Sequence, residues 1–275
     1  MLLAGSLLGP KRSGAVKQMP YESGMDPEAL DKEIEKAIKV DHKPKFVYLI
    51  PTFQNPQGWT IPESRRKELL AVTEKYGVPI LEDDCYADNR YDGDLPTSIF
   101  NLDDTNSVMY VGSFSKIIAP GMSLGYMTAP QLILDRAMGV KSGRVSEFTA
   151  MAVEKYARKY LDAHIEEINN IQRTKRDAML SALGENFGTG AKWSDPDGGL
   201  YIWVKLKEGS DMVALNKRSV EEIDVGFHPG INYSPDGTSG KDHIRLCYGY
   251  NQPDEITEGI SRLANFLSKE GALDS

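Results

Sequence analysis

The sequence predicts an α/β fold: a mostly parallel sheet with helices against it, followed by a smaller α+β domain. Three observations predict it. Short apolar runs alternate with a helical segment in the order strand, helix, strand between residues 46 and 111, the pattern of a mostly parallel sheet. Three polar clusters, TFQNPQG, EDDCY and GSFSK, each follow one of these runs, where such sheets bind ligands. A long charged stretch from about residue 146 then separates this half from short strands and one last helix.

The elements follow in order. Residues 46–51 (FVYLIP) are an apolar run ending at proline, the length of a buried strand. After the loop TFQNPQGW, Thr60 and Glu63 have capping-box spacing, and Pro62 fits a first turn. RRKELLAVTEKY carries helical periodicity, and Gly77 ends it. VPIL (78–81) is the next strand and runs into EDDCY; residues 108–111 are another, and 124–127 are a candidate for one more. Residues 146–183 read as one long connecting helix, unbroken or broken once. GGLYIWVKL, VGFHPGINY, DHIRLCYGY and a helix from about Asp254 make the smaller domain. The domains are assigned as 1–165 and 166–275.

Bulk properties exclude several classes of function. The 275 residues carry 32 Lys and Arg against 40 Asp and Glu, a formal charge of −8. An acidic chain without a basic cluster is not built for nucleic acid. No apolar run is long enough to cross a membrane, and the mildly apolar start MLLAGSLLGPKR has its charges on the wrong side for a secretory signal. The expected location is cytoplasmic, with Cys85 and Cys247 as reduced thiols. His42, His164, His228 and His243 are scattered without metal-ligand spacing, so no metal is expected. Trp59, Trp193 and Trp203 read as core or rim residues.

The chemistry centres on residues 112–126, GSFSKIIAPGMSLGY. An isolated lysine at a strand end is ordinarily a solvated charge. Here Gly112 and Gly121 bracket Lys116, and Ser113 and Ser115 flank it. Small hydroxyls and free backbone N–H groups suit a phosphate. A lysine beside a phosphate site, with a carboxylate on a neighbouring strand end, can hold an aldehyde cofactor covalently; pyridoxal phosphate carries both aldehyde and phosphate. Asp83 and Asp84, after VPIL, supply the acid for its ring nitrogen, although two acids at a strand end are by default a solvated turn. Tyr86 and Asn55 are candidate partners of the cofactor's phenolic oxygen, with Pro56 and Gly58 shaping the turn that presents Asn55.

Together these segments resemble fold-type I, class I/II aminotransferases, nearest the 2-aminoadipate, kynurenine and aromatic aminotransferase branch. YLIPTFQNPQGWTIPESRR, ILEDDCYADNRYDG and VGSFSKIIAPGMSLGY carry the likeness, with GGLYIWV and HIRLCYGY more weakly, in order from about residue 20 onward. The resemblance implies a three-layer, mostly parallel large domain and a small C-terminal domain. It implies pyridoxal 5'-phosphate as cofactor, with Lys116 as Schiff-base lysine and proton shuttle. Asp83 would partner the pyridine nitrogen, Asn55 and Tyr86 the phenolic oxygen, and Ser113 and Ser115 the phosphate. Arg245 would clamp the substrate α-carboxylate, with Asn55 also at the substrate; a bidentate fork suits that task. An amino acid and a 2-oxo acid such as 2-oxoglutarate would be the substrates, and the active form a homodimer.

Two departures qualify the match. The family pattern places a phosphate-binding arginine seven residues after the lysine, where this chain has Ser123. A serine gives one neutral hydrogen bond in place of a charge-assisted fork, so phosphate affinity is expected to fall unless Lys141 or Arg144 substitutes. The family's glycine-rich phosphate loop and ring-stacking aromatic are not recognisable in residues 1–45, so the chain reads as an N-terminally truncated member. The competing readings are an inactive or regulatory aminotransferase-like module and a β-eliminating lyase using the same cofactor.

Overall fold

A computed structural model of the chain describes residues 24–143, 145–234 and 237–274. It divides into two units. The first comprises the described residues through Thr52, together with 59–90 and 94–167; the second comprises 53–58, 91–93 and the chain from Ile168 onward.

The first unit holds a four-stranded sheet in sequential order: β1 (Val47–Leu49), β2 (Ile80–Asp83), β3 (Val108–Ser113) and β4 (Gly125–Thr128). The first three strands are parallel, and β4 runs antiparallel along the edge. Between β1 and β2 lies α2 (Glu63–Tyr76). Gly77 closes that helix in the left-handed region at φ 57°, a conformation glycine adopts without a Cβ penalty. The helix start differs from the capping-box expectation: Pro62 is the N-cap and no side chain caps it. The Glu63 carboxylate instead accepts from Lys67 Nζ at 2.6 Å and from Thr97 Oγ1 at 2.7 Å.

Three helices of this unit, α1 (Pro27–Lys39), α3 (Ile99–Leu102) and α4 (Gln131–Val140), were not foreseen. α1 buries Leu30 and Ile34 and is capped by Asp26, which accepts from Glu28 N. α4 buries no residue. The core of the unit is Leu30, Ile34, Val47, Leu49, Leu69, Ile80 and Val108 with their neighbours. Burying each such side chain contributes about 1.5–3 kcal/mol. The four-residue α3 (Ile99–Leu102) is tied to β2 by Glu82, whose buried carboxylate accepts from Ile99 N at 2.9 Å and Phe100 N at 2.7 Å.

The long connecting helix is a single element, α5 (Glu147–Asn186), and the division between the units falls within it, after Glu167. The second unit is an antiparallel sheet in the order β5 (Lys192–Trp193), β6 (Tyr201–Lys205), β8 (His243–Cys247), β7 (His228–Pro229). α6 (Met212–Ile223) and α7 (Pro253–Lys269) join it. α7 carries a full capping box between Gln252 and Glu255, which satisfies orphan N–H groups of its first turn. Ile202, Val204, Ile244, Leu246, Ile260, Leu263 and Leu267 build this core with Met179 and Leu183 of α5. Along β6 and β8 the core positions recur every second residue, and Tyr201, Trp203 and Arg245 between them are buried too.

Candidate active site

In the first unit the predicted residues collect at the carboxyl ends of β2 and β3. The parallel register places Asp83, the last residue of β2, opposite Val111, two residues before Ser113 ends β3. Ser113 Oγ accepts from Ser115 N at 3.1 Å, which turns the chain out of the strand. Lys116 follows and is half-buried. Its carbonyl accepts from Asn89 Nδ2 at 3.3 Å, and Asn89 is itself buried. Among the described residues no hydrogen bond or ion pair is made by the Lys116 ammonium. Tyr86 is buried in the turn after β2. Gly112 has a positional reason: a Cβ there would stand 2.3 Å from the Tyr126 ring.

Asp83 has a partner that sequence reasoning did not select. Tyr48 on β1 donates its hydroxyl to Asp83 Oδ2 at 2.5 Å, and burial and this carboxylate push the phenol above its ordinary range. The signal was a tyrosine inside an apolar run at a strand end, a weak one in isolation. Cys85 also hydrogen-bonds Asp83; burial, then that carboxylate, raises its thiol to about 12. Asp84 lies deeper. Its carboxylate accepts from Tyr110 OH at 3.1 Å, and burial raises it despite this bond and one from Thr52. Thr52 in turn accepts from Arg66 Nη2 at 3.0 Å.

In the second unit the loop 53–58 and β8 bring Asn55 and Arg245 together: Arg245 Nη1 donates to Asn55 Oδ1 at 2.7 Å. The loop is shaped by a cis Asn55–Pro56 bond and by Gly58 N donating to Gln54 O at 2.6 Å. Glycines permit its close seating. A Cβ on Gly58 would meet Tyr201 O at 2.8 Å, and one on Gly199 would meet Phe53 Cβ at 2.7 Å. Arg245 is 9% exposed, and its buried Nε has no hydrogen-bond partner among the described residues. A buried, unpartnered donor on a charged group is costly, and a carboxylate is the partner its fork fits.

Ser123 is exposed, at φ 50° after a short 3-10 turn. Lys141 is exposed just past α4, and Arg144 lies outside the described residues. Among the described residues no group of three His, Cys, Asp or Glu could hold a metal ion, and no helix is long and apolar enough to cross a membrane.

Residues 11–263 match the model of the aminotransferase class I and II family. The chain belongs to that family. It is 36% identical over 258 residues to aromatic-amino-acid aminotransferase 1 of Thermococcus litoralis, covering 92% of this chain and 61% of that protein. It is 31% identical to 2-aminoadipate transaminase of Thermus thermophilus, covering 90% and 62%. The crystal structure of Pyrococcus horikoshii kynurenine aminotransferase, in complex with PMP, superposes with a TM-score of 0.83 at 36% identity, covering 91% of this chain and 62% of that one. The chain thus spans about three fifths of the length of these relatives. Class I and II aminotransferases use pyridoxal phosphate.

Proposed function

We propose that this chain carries a pyridoxal-phosphate site for transamination between an aromatic or 2-aminoadipate-like amino acid and a 2-oxo acid such as 2-oxoglutarate. One observation carries the reading: a lysine ammonium without a partner among the described residues, on the strand end next to that of a half-buried aspartate. The relatives named above act on aromatic amino acids, 2-aminoadipate and kynurenine, which supports the substrate class. Homodimeric assembly and a cytoplasmic location complete the proposal on the family resemblance.

The donor set fits the cofactor. Lys116 offers a primary amine, Asp83 a carboxylate, and Ser113 and Ser115 hydroxyls at the same strand ends. When bound, pyridoxal phosphate supplies the aldehyde that takes the amino group and the ring that accepts the electron pair left at the α-carbon. Lys116 Nζ is the group that would hold the cofactor, and its free amine would serve as the base that takes the α-proton and returns it. The Asp83 carboxylate would keep the pyridine nitrogen protonated, as an adjacent negative charge favours the cationic form, and Tyr48 OH orients that carboxylate. Tyr86 and Asn55 would serve the phenolic oxygen, and Ser113 and Ser115 the phosphate. Arg245, steadied by Asn55, takes the substrate carboxylate.

The test is covalent. The purified chain is incubated with pyridoxal phosphate, reduced with borohydride, and its peptides read by mass spectrometry beside Lys116→Ala. One label per chain on Lys116, lost in the variant, is the expected result. Labels scattered over surface lysines, or none, would overturn the reading.

A further inference from the structure

We propose that Asn89 is a positioning residue that pins the main chain of Lys116 and so fixes where its amine stands; this rests on Lys116 being the cofactor lysine. Asn89 joins two of the proposed cofactor residues within the first unit. Its main-chain N–H donates to Tyr86 O at 2.9 Å, closing the turn that follows β2. Its Nδ2 donates to Lys116 O at 3.3 Å, 27 residues away, in the turn that follows β3. Asn89 is 1% exposed and Tyr86 5%, whereas Lys116 is half-buried. The amide can face Lys116 in one way: turned over, it would set its own oxygen against the carbonyl oxygen.

The energetics argue that this side chain is kept for what it holds. Nδ2 makes one long bond, and Oδ1 is buried without a partner among the described residues. Taking an amide out of water and leaving its oxygen unpaired costs more than one such bond returns. Leucine has the same branched framework of heavy atoms and would be buried here without that cost. A buried polar group that weakens the fold, beside a strand-end cluster of reactive groups, points to a role in the site.

The rest of the lysine turn is held on either side of Lys116. Ser115 N donates to Ser113 Oγ at 3.1 Å, Ile117 is buried, and Ile118 N and Ala119 N donate to Phe114 O at 2.8 and 3.3 Å. These contacts fix the outline of the turn, and Asn89 adds the hold on the Lys116 carbonyl itself. The lysine amine stands at the end of a long flexible stem, so it inherits any tilt of the peptide at its root. A displacement of about 1 Å at a reacting atom can cost on the order of 100-fold in rate.

The test reads the purified full chain in two ways. Hydrogen exchange without cofactor follows the N–H groups of Ile118 and Ala119. Limiting pyridoxal phosphate followed by borohydride gives the rate of label on Lys116 against that on the exposed Lys32 and Lys67. In Asn89→Leu, exchange at Ile118 and Ala119 should be faster by about threefold or more. Label on Lys116 should fall about tenfold while Lys32 and Lys67 are labelled as before. A loss of packing alone would not single out one lysine. Circular dichroism checks the fold, and Asn89→Ala, which removes the same bond without bulk, is read in place of a leucine variant that does not fold. If neither variant folds, the amide is part of the fold and the inference falls. A folded variant in which either exchange or Lys116 labelling is unchanged overturns the inference and leaves the cofactor reading standing. A wild type that takes no label on Lys116 overturns both.

Discussion

At the scale of single residues, the most constrained side chain is one the chemistry does not use. Arg66 is 1% exposed. Its Nε donates to Ile61 O at 2.8 Å, Nη1 to Thr97 O at 3.1 Å, and Nη2 to Pro51 O at 3.1 Å and Thr52 Oγ1 at 3.0 Å. It thereby fixes the backbone leaving β1. Arg66→Met fills much of the volume but strands several buried carbonyls, so we expect a loss of about 3–5 kcal/mol in urea unfolding. Cys85 gives a second residue-scale prediction. Its thiol, raised to about 12, is not ionised at neutral pH, whereas Cys247 is exposed. Iodoacetamide at pH 8 should label Cys247 in the folded protein and Cys85 only after denaturation, as read on alkylated peptides. The proposed site residues that stand in distinctive local motifs can be picked from the sequence: Lys116 between serines, Asp83 after an apolar strand, Asn55 in a Pro-Gly turn. Tyr48 cannot, because its place at the site comes from a partner 35 residues away.

At the scale of elements, strand ends were legible and helices less evenly so. The parallel strands were recoverable because each is a short apolar run stopped by polar residues. α1 is regular by burial, with Leu30 and Ile34 one turn apart, but charged residues surround them and mask the stripe. α4 buries nothing, so no apolar stripe facing a core marks it. The join between β2 and α3 carries a pH dependence. Glu82 is fully buried, and burial, partly offset by the Ile99 and Phe100 N–H groups, raises its carboxyl from 4.5 to about 7. A carboxyl that binds its proton more tightly when folded stabilises the fold fully below pH 4.5, and that contribution is lost as pH rises through 7. The difference corresponds to about 3 kcal/mol. Urea unfolding of Glu82→Gln should therefore show a flatter stability profile than wild type between pH 4.5 and 7. Equal slopes would mean that Glu82 is ionised throughout that range in the folded protein.

At the scale of the whole molecule, exposure is the property the sequence hid. Apolar residues are unevenly covered: the second unit closes its core around β6, β8 and α7, while the stretch from β4 through the start of α5 leaves large side chains in solvent. Tyr126 is 51% exposed, Met138 66%, Val140 84%, Phe148 83% and Met151 70%. β4 is also an edge strand with an exposed face. Apolar periodicity shows that a residue could be buried, and says nothing of whether a neighbour is present to bury it. A strand edge beside exposed aromatic and aliphatic side chains is a template for association. The proposed homodimer gives this surface a partner. Light scattering of the purified chain should return twice the chain mass, and Phe148→Lys with Met151→Lys should return the mass of one chain. Both positions are solvent-facing and already helical, so lysine there costs little in folding, and circular dichroism should be unchanged. A wild-type chain that stays monomeric at all concentrations, with no binding of a hydrophobic dye, would mean that this face is solvated and that the subunit contact lies elsewhere.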